Sequence, residues 1–271
     1  METTTLKTFM DEETKRLHVV GELAPDDFDK SGKMTVWKMS RFFQSCRFAY
    51  LDQSPWFSLE RFRVYVRHQK IDFLPAFSED IDYATPLKVT IWLSFVGNTS
   101  FVWDYVVTDY ITGIQLAKAK TQMVWVDAAV RGPTRVPDEF RERLVADPKP
   151  LVVRPFPSKP ASYFKFKLSV ASSDTDLNQH TNQAVYIRMC MDAVSAGALK
   201  GQFSFPKELV YYNPRSVAVN YVKESKMEDC LEIACWEDQS NPISVFCEIT
   251  KGSEIVCQCQ LEFDYDVKSK L

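Results

Sequence analysis

Asp174-Thr-Asp-Leu-Asn-Gln-His-Thr-Asn182 runs straight into an apolar segment, Gln183 to Leu199, long enough for several helical turns. Ala, Val, Ile, Met, Cys and Gly spread around that segment, so a helix formed from it has to be buried. The loop before it concentrates carboxylates, carboxamides and one of only three histidines at the mouth of the helix. Such a density of proton-handling groups points to chemistry.

Outward from this loop and helix the pattern changes period. Phe164–Val170 reads as a strand before the loop, and Ser216–Lys223, Cys230–Trp236, Ile243–Thr250 and Glu254–Tyr265 read as strands after the helix. In the last of these Ile255, Cys257, Cys259, Leu261 and Phe263 share one face and Gln258, Gln260 and Glu262 the other, the period-2 signature of a half-buried strand. That reading makes Cys257 and Cys259 core thiols, since no second ligand pair stands at zinc spacing.

The first half repeats the order. A short strand, Arg16–Leu23, leads into an acidic loop through Asp26, Asp29 and Gly32, then a helical pattern from Met34 to Tyr50 that is apolar around most of its circumference. Strands follow at Phe62–Lys70, Pro86–Phe95, Ser100–Thr108 and Ile114–Val126, with Gly97-Asn98 and Thr112-Gly113 as turns. Placing Trp37 against Tyr186 gives an offset of about 150 residues, typical of a duplicated small domain. Between Arg131 and Pro160 the periodicity stops and prolines cluster, with one short helix at Pro137–Leu144 whose proline suits a first helical turn. The chain therefore reads as α+β, a double hotdog: residues 1–130 and 161–271 are tandem domains, each a central helix wrapped by an antiparallel sheet, and 131–160 is the linker.

Composition narrows the function classes. The chain has 271 residues, 45% hydrophobic and 25% charged, enough for substantial cores. A net charge of -3 provides no basic footprint for nucleic acid. The seven scattered cysteines suggest a reducing compartment rather than a disulfide framework. The acidic N-terminus lacks the apolar core of a signal peptide, and no run reaches the ~18 apolar residues of a membrane span. The expectation is a cytoplasmic protein with no membrane span, no nucleic-acid partner, no metal and no organic cofactor.

Three motifs together resemble the acyl-acyl carrier protein thioesterases of plants and bacteria. Asp176-Leu-Asn-Gln-His180, followed by Thr-Asn182 and Tyr186-Ile187, is similar to that family's Asp-x-Asn-x-His run. Asn220-Tyr-Val-Lys-Glu-Ser225 is similar to its Glu-Tyr-Arg-Arg-Glu-Cys segment and places Glu224 on the catalytic glutamate, with Ser225 where the family has cysteine. Val136-Pro-Asp-Glu-Phe-Arg-Glu-Arg-Leu144, after Val124-Trp125-Val126, resembles its linker helix. The resemblance implies thioester hydrolysis with the acyl group carried on acyl carrier protein or CoA, and a possible homodimer.

Thioester hydrolysis needs an activated water, donors for the developing oxyanion and an acyl slot. Asp176, Asn178 and His180 stand at alternate positions, so an extended loop would aim all three the same way. Asn182 is placed to cap the helix, whose free N–H groups could polarise the carbonyl. Following the resemblance, Glu224 and His180 activate water, Asn178 holds the water or carbonyl, and Asp176 either orients its neighbours or attacks as a nucleophile. Ser225 and Asn182 would contact substrate. The first half, whose loop around Asp29 lacks amide and imidazole, would supply the acyl pocket from Trp37, Phe42, Trp92 and Trp103. A non-catalytic acyl-binding protein and an enoyl-thioester hydratase or dehydratase are the competing readings.

Overall fold

The computed structural model describes residues 7–29, 32–53, 62–79, 81, 84–130, 132–144, 151–208 and 213–264. The Pro55 turn, Lys30 and Ser31 of the first acidic loop, and Pro148 and Pro150 of the linker lie outside them. The chain divides into two compact units, Met1–Val153 and Arg154–Leu271.

The first unit contains β1 (Lys7–Asp11), β2 (Arg16–Gly21), a 3-10 turn (Pro25–Asp27), α1 (Val36–Asp52), β3 (Phe62–Phe73), α2 (Pro75–Glu79), β4 (Leu87–Val96), β5 (Ser100–Asp109), β6 (Gln115–Asp127), β7 (Gly132–Pro133) and α3 (Asp138–Arg141). Its strands pair antiparallel in the order β1-β2-β4-β5-β6-β3, and β7 adds to β6. Alternation puts Leu87, Val89, Ile91 and Leu93 of β4 in the core, together with Phe101, Trp103, Tyr105 and Val107 of β5. Val36, Met39, Phe43, Cys46 and Tyr50 of α1 are buried with them. Tyr50 packs on Trp103 and Phe43 on Tyr105, each with ring centroids 4.6 Å apart. Fully burying each such side chain contributes roughly 1.5–3 kcal/mol.

The second unit contains β8 (Phe164–Ser169), a 3-10 turn (Ser172–Asp174), α4 (Gln183–Leu199), β9 (Ser216–Tyr221), β10 (Cys230–Asp238), β11 (Asn241–Lys251) and β12 (Glu254–Glu262). Its antiparallel order is β8-β10-β11-β12-β9. This is the first unit's β2-β4-β5-β6-β3 over again, so the duplication extends to topology. α4 packs on β8, β10 and β12. Cys235, Cys247 and Cys259 sit in register on three neighbouring strands and are fully buried, as is Cys190 of α4. All seven cysteines are free thiols.

Three features depart from the sequence reading. β1 was not expected; it is an edge strand with a single neighbour and an exposed Phe9, so it lacks the buried alternation that marks the others. The short helix α3 is not a bare connector. Its Phe140 is fully buried in the first unit, with Phe101, Trp103 and Trp125 ring centroids 4.8, 5.7 and 5.4 Å away. Arg141 Nη2 also donates to the Gly97 carbonyl at 2.6 Å. Finally, Trp37 and Ala184 are each second in their helices, so Trp37 is equivalent to Ala184 rather than to Tyr186.

Candidate active site

The Asp174–Asn182 loop is a tight turn, not an extended segment. Thr175 and Thr181 form an antiparallel bridge. Between them the Asp176 N–H donates to the His180 carbonyl at 3.0 Å and the Gln179 N–H to the Asp176 carbonyl at 2.8 Å. Gln179 closes the turn at φ 63, a left-handed conformation. The alternating-face argument for Asp176, Asn178 and His180 therefore fails, because closing the turn satisfies backbone groups that an extended loop would leave open. Asp176 and His180 stand across the neck of the turn, while Asn178 is exposed at its tip beside a fully exposed Leu177.

Asp176 helps build that turn. One carboxylate oxygen accepts the Asn178 N–H at 2.8 Å and the other lies 3.4 Å from Asn182 Nδ2. Asn182 caps α4 as expected, its Oδ1 accepting the Ala184 N–H at 3.0 Å. Asp174, read from sequence as a plain loop residue, anchors the whole element. It is 8% exposed, accepts the Ala171 N–H at 3.0 Å and pairs with Arg188 of α4 at 2.6 Å. Its carbonyl accepts the Asn182 N–H at 2.8 Å.

The second element arrives after β9. The Val222 and Lys223 N–H groups both donate to the Val256 carbonyl, which ends the strand and turns the chain. Glu224 then meets His180, with Oε2 3.1 Å from Nε2. The imidazole is mostly covered, at 14% side-chain exposure, and the carboxylate is open at 45%. Lys226 Nζ stands 3.8 Å from the other Glu224 oxygen. Ser225 lies beneath this pair, wholly buried, and its carbonyl accepts the Thr181 N–H at 2.8 Å. Gln183, first in α4, has a buried Nε2 with no hydrogen-bond partner among the described residues.

The arrangement suits proton transfer at an open edge. With Nε2 donating to Glu224, the lone pair of His180 is on Nδ1, the atom that would take a proton from water. No group of side chains among the described residues is arranged to hold a metal ion. No described helix is long and apolar enough to cross a membrane.

Residues 158–265 match the model of the acyl-ACP thioesterase C-terminal domain. The match lies within the second unit. Over 200 residues, 69% of the chain, the sequence is 22% identical to oleoyl-acyl carrier protein thioesterase 2, chloroplastic, of Arabidopsis thaliana. Over 180 residues, 61% of the chain, it is 24% identical to the oleoyl-acyl carrier protein thioesterase, chloroplastic, of Coriandrum sativum. These alignments cover 50% and 44% of the two plant proteins, so the chain spans about half the length of the curated relatives it matches. An acyl-ACP thioesterase from Bacteroides thetaiotaomicron superposes with a TM-score of 0.75 at 21% identity, covering 94% of this chain and all of that one. The 12:0-ACP thioesterase from Umbellularia californica does so with 0.70 at 17%, covering 92% and 96%. At these identities the superpositions establish the fold, two tandem hotdog units.

The Asp174–Asn182 loop of the second unit has a counterpart in the first unit with the same hydrogen bonds and different side chains. There Phe28 and Met34 form the bridge, Asp29 N–H donates to Lys33 O at 2.8 Å and Gly32 N–H to Asp29 O at 3.0 Å. Asp27 plays the part of Asp174, accepting Ala24 N–H at 2.8 Å and pairing with Lys38 at 3.1 Å. Lys33 stands where the second unit has His180, so the first unit keeps the scaffold without the imidazole. Of the aromatic residues expected around an acyl chain, Trp103 is fully buried between Tyr50, Phe101 and Phe140. Trp92 is half-buried under the Arg16 guanidinium at 4.7 Å, and Trp37 and Phe42 are half-buried on α1.

Proposed function

We propose that the chain hydrolyses acyl thioesters to a carboxylic acid and a thiol, with acyl carrier protein as the carrier of the acyl group. The observation that carries this reading is the 3.1 Å His180–Glu224 contact within a domain of the acyl-ACP thioesterase family. Glu224 holds the His180 Nε2 proton and steadies the imidazolium, as an acid partner does for a catalytic histidine. His180 Nδ1 takes a proton from water as its oxygen attacks the thioester carbonyl carbon. The oxyanion develops near the first turn of α4, where N–H groups and the helix dipole favour negative charge. Collapse breaks the C–S bond, and the departing sulfur takes the proton back from His180.

Direct attack by water is favoured over an acyl-enzyme. Both Asp176 oxygens face donors of its own turn, and Ser225 is wholly buried. Asp176 then orients the loop, and exposed Asn178 is the amide free to meet the carrier arm or the water.

The test is thiol release across acyl chain lengths on both carriers. His180→Ala and Glu224→Gln are each expected to lower kcat by about 10²–10⁴, and Glu224→Gln, at an open carboxylate, with little change in melting temperature. Turnover unchanged in both variants would remove the assignment. Saturable acyl binding without thiol release would favour a binding protein instead.

A further inference from the structure

Beneath the His180–Glu224 pair lies a buried set of hydroxyls that the hydrolytic mechanism does not use. Thr181 follows His180 and Ser225 follows Glu224. Thr181, Tyr186 and Ser225 are 6%, 3% and 0% exposed. The Ser225 Oγ stands 2.7 Å from Thr181 Oγ1 and 2.8 Å from the Tyr186 phenol oxygen. Three further bonds close the knot: Ser225 N–H donates to the phenol oxygen at 3.0 Å, Thr181 N–H donates to the Ser225 carbonyl at 2.8 Å, and Thr181 Oγ1 donates to that carbonyl at 3.2 Å.

One arrangement of the protons uses every donor. The Thr181 hydroxyl gives its proton to the Ser225 carbonyl, which only accepts. Ser225 then donates to Thr181 Oγ1 and Tyr186 donates to Ser225 Oγ, with the Ser225 N–H entering the phenol from behind. Every buried donor is used once. Removing any one hydroxyl leaves a buried polar group unpaired, which destabilises this local arrangement and no other.

We propose that Tyr186 is a positioning residue, acting through Ser225 and Thr181 to hold His180 and Glu224 at hydrogen-bonding distance. The proposal rests on the reading that this pair activates water. Thr181 and Ser225 each directly follow a member of the pair, and Tyr186 stands in the first turn of α4, bonded to Ser225. Glu224 itself is open to solvent and, among the described residues, tethered through His180 and the more distant Lys226. Its backbone is held by the residue that follows it. The knot also assigns Ser225 its part: an oxygen that makes two short bonds, in a place where a thiol would make weak ones.

The experiment compares thiol release by the full chain and its Tyr186→Phe, Thr181→Val, Thr181→Ser, Ser225→Cys and His180→Ala variants, with fatty acyl-CoA as the probe. Tyr186→Phe and Thr181→Val are expected to lose about tenfold to hundredfold in kcat, the scale of an ~1 Å misplacement, with KM within about twofold. Thr181→Ser, which keeps the hydroxyl, should restore most of kcat, and Ser225→Cys should lower kcat rather than raise it. A second readout needs no turnover: the ¹⁵N shift of His180 Nε2, which reports its bond to Glu224, should move in Tyr186→Phe to its value in Glu224→Gln. Wild-type kcat and an unmoved Nε2 shift in Tyr186→Phe and Thr181→Val would overturn the proposal. If instead His180→Ala turns over normally while the Nε2 shift moves as expected, the knot positions the pair and the hydrolytic reading is what fails.

Discussion

Gln179 and Gly32 hold the same left-handed corner of equivalent turns in the two units, at φ 63 and φ 74. Each donates its N–H to the aspartate that opens its turn, Asp176 or Asp29. Only glycine takes this conformation freely; a residue with a Cβ gives up roughly 1–2 kcal/mol there. Gln179→Gly should therefore raise stability, by about 0.5–1 kcal/mol after the added freedom of the unfolded chain is subtracted. A denaturant melt checks it, and a lower midpoint would show that the Gln179 side chain contributes something the backbone argument omits.

Asp174 and Asp192 both pair with Arg188, at 2.6 and 3.2 Å, yet they should differ in weight. The Asp174 side chain is 11% exposed and also holds the Ala171 N–H, whereas Asp192 is 51% exposed. Asp174→Ala removes the acceptor of the Ala171 N–H and the better-covered partner of Arg188, for a loss of about 1–3 kcal/mol. Asp192→Ala should cost about 1 kcal/mol or less. Equal shifts in melting temperature for the two variants would contradict this ranking.

The Gln183 amide makes the opposite kind of prediction. Its Nε2 is buried without a partner at the first position of α4, and an unmet buried donor costs about 1–3 kcal/mol. Gln183→Met keeps the shape and removes the donor, so calorimetry should show a rise in melting temperature. A rise accompanied by lower kcat would mean that the amide is held for the substrate; a fall would mean that it is already satisfied.

Burial pushes the Tyr186 phenol up to about 12, against the lowering effect of the Ser225 N–H that donates to it. An unfolded tyrosine titrates near ~10. Because the folded value is the higher one, the stabilisation from the neutral phenol is complete below about pH 10 and is lost as pH rises towards 12, on the order of 2 kcal/mol in all. Tyr50 and Tyr105 are raised by burial as well, so wild type should lose stability steeply over this window and Tyr186→Phe less steeply. Melting temperatures between about pH 9 and 11.5 provide the measurement, and parallel curves would argue against a buried neutral phenol.

Local pattern was enough for the architecture. The alternation of Ile255, Cys257, Cys259, Leu261 and Phe263 marks a strand because side chains on a pleated chain change face at every residue. The apolar circumference of Val36–Asp52 and Gln183–Leu199 marks buried helices for the same kind of reason, and both helices formed within about two residues of where their pattern begins. The motif around His180 and the segment ending in Ser225 were also legible, and they named the pair that the fold brings to 3.1 Å. What the chain did not disclose locally was the shape of the loop between them. A left-handed Gln179 has no signature of the kind that Gly32 carries, so the turn was read as extended and Asn178 was set beside His180 instead of at the tip. Nor could sequence join Asp174 to Arg188, or Thr181 to Ser225 and Tyr186. Those bonds depend on where β9 ends and how α4 lies on its sheet, and hydrogen bonds between segments far apart in the chain follow tertiary register, which leaves no period in the sequence to read.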